Sequence, residues 1–201
     1  MGNVPTGNYL PGDEYTCEVK PGTSHTFFVL NSDKDKVNLI MNNNICEDGT
    51  LATNSNKCYV PWISKLDYER ANLDNTACSH DACNDEGPIT ATNYLNNATS
   101  GWTNIENLNE VYNDAYTNFV LKGKARMLKL HEILDLGCVE YKVCYSWIGS
   151  EYWLLNANKT DSLFSYFMSG NIFVNGGIFV YQSNIYGVRP VITVSKYRFK
   201  N

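Results

Sequence analysis

Short β-rich runs open and close this chain, and helix-forming segments lie between them. That order constrains the fold more than any other feature of the 201-residue sequence. Near the start, Tyr15–Val19 and Thr26–Leu30 flank the turn Lys20-Pro21-Gly22-Thr23. Val37–Met41 follows, with Val37, Leu39 and Met41 on one face. These runs read as an antiparallel meander. Near the end, Trp153-Leu154-Leu155, Phe164–Met168, Asn171–Val174, Ile178–Tyr181 and Gly187–Val194 are strand-like, punctuated by Gly170, Gly176-Gly177 and Gly187. Pro190 within the last run fits a strand end or a position that does not donate to the ladder. If the first strands pair with the last, the chain closes on itself, its termini come together and the middle becomes a set of excursions. The expected class is α+β, with short antiparallel strands, two main helices and long irregular loops.

Between the strand runs, Gly87-Pro88-Ile89 opens a helix that Ser100-Gly101 stops, with Ile89, Tyr94, Leu95 and Ala98 near one face. Leu108–Val120 is amphipathic and is expected to be helical despite its asparagines. Met127–Leu136 predicts a further helix, on which Leu130, Ile133 and Leu134 share a face and Gly137 is the C-cap. Lys65–Asn72 has room for one short helix. The stretch around it, about 46–86, is cysteine- and asparagine-rich and is expected as an insertion held by disulfides rather than by core. It interrupts a single domain over 14–201. Residues 1–13, rich in Pro, Gly and Asn, are expected as a flexible arm.

Composition narrows the function classes. The apolar share of 43% supports a buried core, whereas charged residues, at 18%, fall below the roughly 25% usual in soluble domains. Tyrosine (14) and asparagine (26) stand out, as in extracellular β-proteins or adaptable binding surfaces. A net charge of −5 and the lack of a basic stripe argue against nucleic acid as a partner. The short basic cluster Lys122–Arg126 reads as a solvated turn. No run approaches the roughly 18 apolar residues of a membrane helix.

Seven cysteines in an acidic, lysine-poor chain fit an oxidising compartment; free thiols in a cytosolic protein are the alternative. Local bridges are expected between Cys78 and Cys83 and between Cys138 and Cys144. Two of Cys17, Cys46 and Cys58 can pair, with Cys46–Cys58 favoured, which leaves one odd thiol. The thiols and imidazole of Cys78-Ser79-His80-Asp81-Ala82-Cys83 suit zinc, yet only three ligands lie within reach, so a disulfide is the better reading. Asp81, Asn84, Asp85 and Glu86 match no calcium-loop spacing. No cofactor is expected. His131 could serve as a base, but no nucleophile elbow or carboxylate pair accompanies it, so a half-buried helix position is expected and no catalytic residue is assigned. Trp62, Trp102, Trp147 and Trp153 are expected in the core. Arg189, inside an apolar run, is expected as a buried ion-pair or carbonyl anchor.

Three segments carry a family resemblance. Ala125-Arg126-Met127-Leu128, leading to Glu132, is similar to the A-R-L-P motif before the second helix of formylglycine-generating-enzyme-like domains. Gly187-Val188-Arg189-Pro190-Val191 is similar to their closing strand. Tyr152-Trp153-Leu154-Leu155 resembles a segment of bacterial C-type-lectin-like domains. The chain also resembles pilin-like surface proteins of Firmicutes along Tyr15–Thr23, Asn38–Cys46, Gly87–Ile105 and the closing G-V-R-P-V-I. Leu128 replaces the usual proline. No cysteine follows Cys144, so the C-terminal pair of formylglycine-generating enzymes is absent, as are the calcium motifs of sugar-binding C-type lectins.

The resemblance implies a C-type-lectin-like fold and a surface-displayed, adhesin-type binding domain, not an enzyme. It extends to the variable proteins of diversity-generating retroelements, whose C-terminal segment is randomised toward Asn, Tyr, Ser, Asp and Phe. By that likeness the ligand-binding residues are Asn156, Asn158, Phe164, Tyr166, Asn171, Phe173, Asn175, Phe179, Tyr181, Asn184 and Tyr186. About half of the aromatics there are expected to be core, because alternating strands bury one face. The implied partners are a protein or glycan ligand and pilus subunits, and any membrane contact would come through a preceding N-terminal helix. The implied location is extracellular, on the cell surface or a pilus. A structural minor-pilin-like subunit, or an enzyme of the formylglycine-generating type, is the alternative.

Overall fold

The computed structural model describes residues 8–71, 88–113, 118–157, 164–179 and 186–198. Among these residues, nine strands and three α-helices form an α+β arrangement of antiparallel sheets. The first sheet has the order β1-β2-β3-β9, formed by Glu14–Lys20, Thr23–Ser32, Lys36–Met41 and Val191–Ser195. The expected meander therefore forms, and the last strand closes onto it. Leu39 pairs with Val29 on one side and Ile192 on the other.

This sheet is covered on both faces. Phe27, Val29, Val37, Leu39, Met41 and Ile192 enter one apolar cluster, with Ala91, Leu95 and Ala98 of helix α2 (Ile89–Thr99). Leu30, Ile40 and Val191 enter a second, with Leu130 and Ile133 of helix α3 (Leu130–Asp135). Val37, Leu39 and Met41 do share a face, but Ile40 is also fully buried, as a central strand sandwiched between two layers requires. Gly137 ends α3 with φ +79°, a left-handed conformation that favours glycine. Helix α1 spans Lys65–Arg70.

A three-stranded sheet, β6-β7-β8, is formed by Tyr152–Ala157, Phe164–Ser169 and Ile172–Phe179. β8 is one strand across Gly176-Gly177, where two runs were expected. β6 is also buried on both faces: Trp153 and Leu155 join the first cluster, Tyr152 and Leu154 the second. The segment 125–128 ties the sheets together. Arg126 exchanges both backbone hydrogen bonds with Val191 (2.9 and 2.8 Å), and Leu128 accepts from the Leu155 N–H at 2.9 Å.

Four expectations need correction. Leu108–Val120 is not a helix but a hairpin of β4 (Leu108–Asn113) and β5 (Asn118–Gly123). Its burial has period two, with Tyr112 and Leu121 inward and Val111 and Val120 outward. Residues 9–13 are not a free arm. Gly12 donates to the Val29 carbonyl and Asp13 accepts from the Val29 N–H, both at 2.9 Å, and Tyr9 is buried. In the 46–86 stretch, the described part, 46–71, is held by core as well as by a disulfide, since Val60, Trp62 and Ile63 are core. Finally, Lys122–Arg126 is not a wholly solvated turn. Arg126 is buried, where its guanidinium meets both carboxylate oxygens of Glu132 at 2.6 and 2.7 Å.

Candidate functional site

The expected binding residues divide by burial. Tyr166 and Phe173 stack on each other inside the second cluster, their ring centroids 5.7 Å apart, and neither is accessible. Tyr186 packs against Trp153 and Phe167 at 4.8 and 4.3 Å and is 9% exposed. Asn156 is a structural bracket: its Oδ1 accepts from the Leu130 N–H at the start of α3 (2.8 Å), and its Nδ2 donates to the Tyr112 hydroxyl (2.5 Å). These four are therefore core side chains: β6 over Tyr152–Asn156 and β7 over Ser165–Met168 are buried on both faces, and Phe173 and Tyr186 pack against them. Asn171 is half-buried at the β7–β8 turn. Phe164, Asn175 and Phe179 sit on β7 and β8, with side chains outside the described residues, as are Asn158, Tyr181 and Asn184 altogether.

What the three-stranded sheet does present is the loop of the expected Cys138–Cys144 bridge, whose exposed side chains the sequence reading did not single out. Cys138 and Cys144 are disulfide-bonded, Cα to Cα 5.2 Å. The loop they close lies along β8: Tyr141 donates to the Phe173 carbonyl (2.8 Å), Cys144 donates to the Asn171 carbonyl (2.7 Å), and Val143 bridges to Ile172. On this loop and just beyond it, Val139, Tyr141, Val143 and Tyr145 are all exposed, Val143 at 72% and Tyr141 at 64%, with Ile172 beside them. Tyr145 stacks on Trp147, centroids 5.9 Å apart. The signal was present in the sequence as an apolar residue at every second position across a short Cys-to-Cys span, a strand period inside a loop.

A concavity of about 330 Å³ opens beside a further disulfide. Cys46 and Cys58 are bonded, Cα to Cα 5.1 Å, and the loop between them is fixed by tight turns. Cys46 donates to the Thr50 carbonyl and Ala52 to the Asn44 carbonyl, at 2.8 and 2.9 Å. Asn42, Asn43, Asn44, Thr53 and Asn54 line one side; Ser150 and Glu151 face them from the start of β6. Tyr59 donates its hydroxyl to the Glu151 carboxylate, and Lys57 sits 3.6 Å from the same oxygen. Burial first, then the Glu151 hydrogen bond, pushes the Tyr59 hydroxyl up to about 12, so it remains a donor at neutral pH.

The motif residues of the closing segment shape this cleft. A Cβ on Gly187 would come within 2.5 Å of Asn44 Nδ2, so only glycine leaves space for that amide, which donates to the Glu151 carbonyl at 2.8 Å. Arg189 is the expected carbonyl anchor. Its guanidinium donates to Met41, Ile148 and Trp147 carbonyls at 2.5, 2.8 and 2.8 Å and lies over the Tyr152 ring.

The remaining candidates are placed as follows. Trp62, Trp102 and Trp153 are buried, Trp147 partly so. His131 is exposed on α3 rather than half-buried, and it has no acidic partner among the described hydrogen bonds and ion pairs. Cys17 is the free thiol of the described cysteines, and burial pushes it up to about 11. Cys78, His80 and Cys83 lie outside the described residues, as do Asp81, Asn84, Asp85 and Glu86. Among the described residues no cluster of three or more metal-ligating side chains occurs, and no helix is long and apolar enough to cross a membrane. Comparison with protein families, curated proteins and solved structures finds no match for this chain.

Proposed function

We propose that this chain is an extracellular ligand-binding domain of C-type-lectin-like architecture, of the pilin-associated, retroelement-diversified kind, that grips a protein ligand through the Cys138–Cys144 loop and the adjoining edge of β8. The pairing of β3 with β9, which closes the chain's two ends into one sheet, supports the lectin-like reading. The two disulfides among the described residues support an oxidising, extracellular setting.

One observation carries the binding surface. Val139, Tyr141, Val143 and Tyr145 all face outward from a loop that a disulfide and two backbone hydrogen bonds hold in place. Grouped exposed apolar side chains usually mark an interaction site. A pre-ordered loop loses little entropy on binding, and tyrosine gives large contact area with few rotatable bonds. Two of the residues expected to make contact, Tyr166 and Phe173, instead belong to the buried cluster that also holds Cys138.

The test is a binding screen of the domain against arrayed extracellular proteins, followed by the Tyr141→Ala/Val143→Ser variant. The expected outcome is a captured protein whose affinity falls by about 30-fold or more in the variant, as for a central hot spot, with an unchanged melting temperature. A ligand indifferent to both substitutions would sink the proposal. So would an empty screen combined with loss of pilus filaments on deletion, which is the signature of a structural subunit.

A further inference from the structure

We propose that the cleft between the Cys46–Cys58 loop and the start of β6 is a second binding site, one that takes a neutral pyranose sugar. It is separate from the protein-binding surface proposed above and does not depend on it.

The argument begins with the lining. Asn42 and Asn54 offer amides, each both donor and acceptor, Ser150 and Thr53 offer hydroxyls, and the Tyr59 hydroxyl, whose proton goes to Glu151, offers an acceptor. Sugar hydroxyls also donate and accept at once, so such a wall satisfies them whichever way they turn. Charge selects against ions. Lys57 is 3.6 Å from Glu151, and Glu151 also accepts from Tyr59, so the two charges of the lining offset each other and the cleft carries no net charge. Ala52 is the sole aliphatic side chain of the lining, which leaves no pocket for an apolar group. The volume, about 330 Å³, falls at the small end of ordinary ligand sites, about 300–1,000 Å³.

A second, independent observation points the same way. Asn44 is 7% exposed, and its Oδ1 has no hydrogen-bond partner. The amide cannot flip to mend this, because Nδ2 is committed to the Glu151 carbonyl. A buried acceptor left unmade is costly; this one is closed to solvent, so a sugar hydroxyl would complete it once the Asn44 side chain shifts toward the cleft that it lines. The site is also built to hold its shape. The disulfide and the turns fix the loop, and Gly187 and Arg189 brace the same wall at Asn44 and at the carbonyl of Met41.

The experiment is a titration of the whole 201-residue chain, ¹⁵N-labelled, with glucose, galactose, mannose and N-acetylglucosamine, each to about 50 mM. That is well past the millimolar Kd expected of so small a ligand. Saturable shifts of the Asn44 side-chain amide and of the Tyr59 and Glu151 backbone amides for at least one sugar are expected. The Asn42→Ala/Asn54→Ala variant should bind that sugar about tenfold more weakly, the weight of one or two hydrogen bonds. Both positions are exposed, so folding should be unaffected. A trimer of the same sugar is the second arm. Equal affinity identifies a terminal or free residue as the ligand, and tighter binding identifies an extended glycan. No saturable shift with any of the four sugars, shifts confined to the Cys138–Cys144 loop, or an unaltered affinity in the variant would each overturn the site. None of those results bears on protein capture by the other surface.

Discussion

At the scale of single residues, the two arginines of the resembling motifs behave differently from one another. Arg189 spends its donors on three backbone carbonyls and needs no acid. Arg126 is paired with Glu132 out of water, each side chain 2% exposed. Burial alone would push the Glu132 carboxyl up, but the Arg126 charge, its two hydrogen bonds and the Lys129 N–H outweigh that and hold it below the ordinary range. A depressed folded-state value means that the stabilisation is complete above the unfolded value, near 4.5, and is lost as pH falls through the folded one. Arg126→Met should therefore cost about 3–5 kcal/mol at pH 7, since it strands a buried carboxylate. Adding Glu132→Leu should restore part of that loss, but not all, because the Lys129 N–H loses its acceptor. Urea midpoints at pH 7 and at points below 4.5 would check both claims. Below 4.5, the double variant should lose stability with a shallower slope than the wild type. An equal slope would mean that Glu132 is not the titrating group.

At the scale of elements, the disulfide loop over β8 is a strand-like edge made from a loop. By chain-entropy reasoning, a bridge across a six-residue separation contributes about 2 kcal/mol. Cys138→Ser/Cys144→Ser should therefore lower the melting temperature by about 4–8 °C in a chain of this length. It should also speed hydrogen exchange at the Tyr141 amide, which now donates to Phe173. Protection of that amide unchanged in the variant would show that β8 alone holds the loop. Much of this level was legible beforehand. Helices α2 and α3 announce themselves through Gly87-Pro88 and Gly137, and the strands of both sheets through their apolar runs. The β4–β5 hairpin was not legible. Leu108, Val111 and Tyr112 fit helical spacing as well as a strand, and what decides between them is the inward packing of Tyr112 and Leu121 against distant core. The burial of four of the expected contact residues was not legible for a related reason. Composition marks Tyr166, Phe173 and Tyr186 as tyrosine- and phenylalanine-rich but says nothing of which layers cover them. Both faces of β6 turn out to be closed.

At the scale of the whole molecule, β9 is the piece on which closure depends. It pairs with β3 along one edge, and Val191 bonds Arg126 on the other, so it joins the N-terminal meander to the segment that leads into α3. Its residues also divide between the two cores, Ile192 in the first and Val191 in the second, both fully buried. A chain ending at Pro190 would lose that apolar contribution, about 1.5–3 kcal/mol for each fully buried side chain. It would further leave the Arg126 N–H and the exposed edge of β3 without partners. Those losses rival the whole stability of an ordinary domain, about 5–15 kcal/mol. Truncation after Pro190 should therefore abolish the cooperative thermal transition and the near-ultraviolet circular dichroism. Removing residues 1–8 should leave both in place, because Tyr9, Gly12 and Asp13 still anchor the remaining end. A truncated chain that still melts cooperatively would mean that β1, β2 and β3 form a self-sufficient unit. The closure of the two ends would then be a consequence of the fold and not its cause.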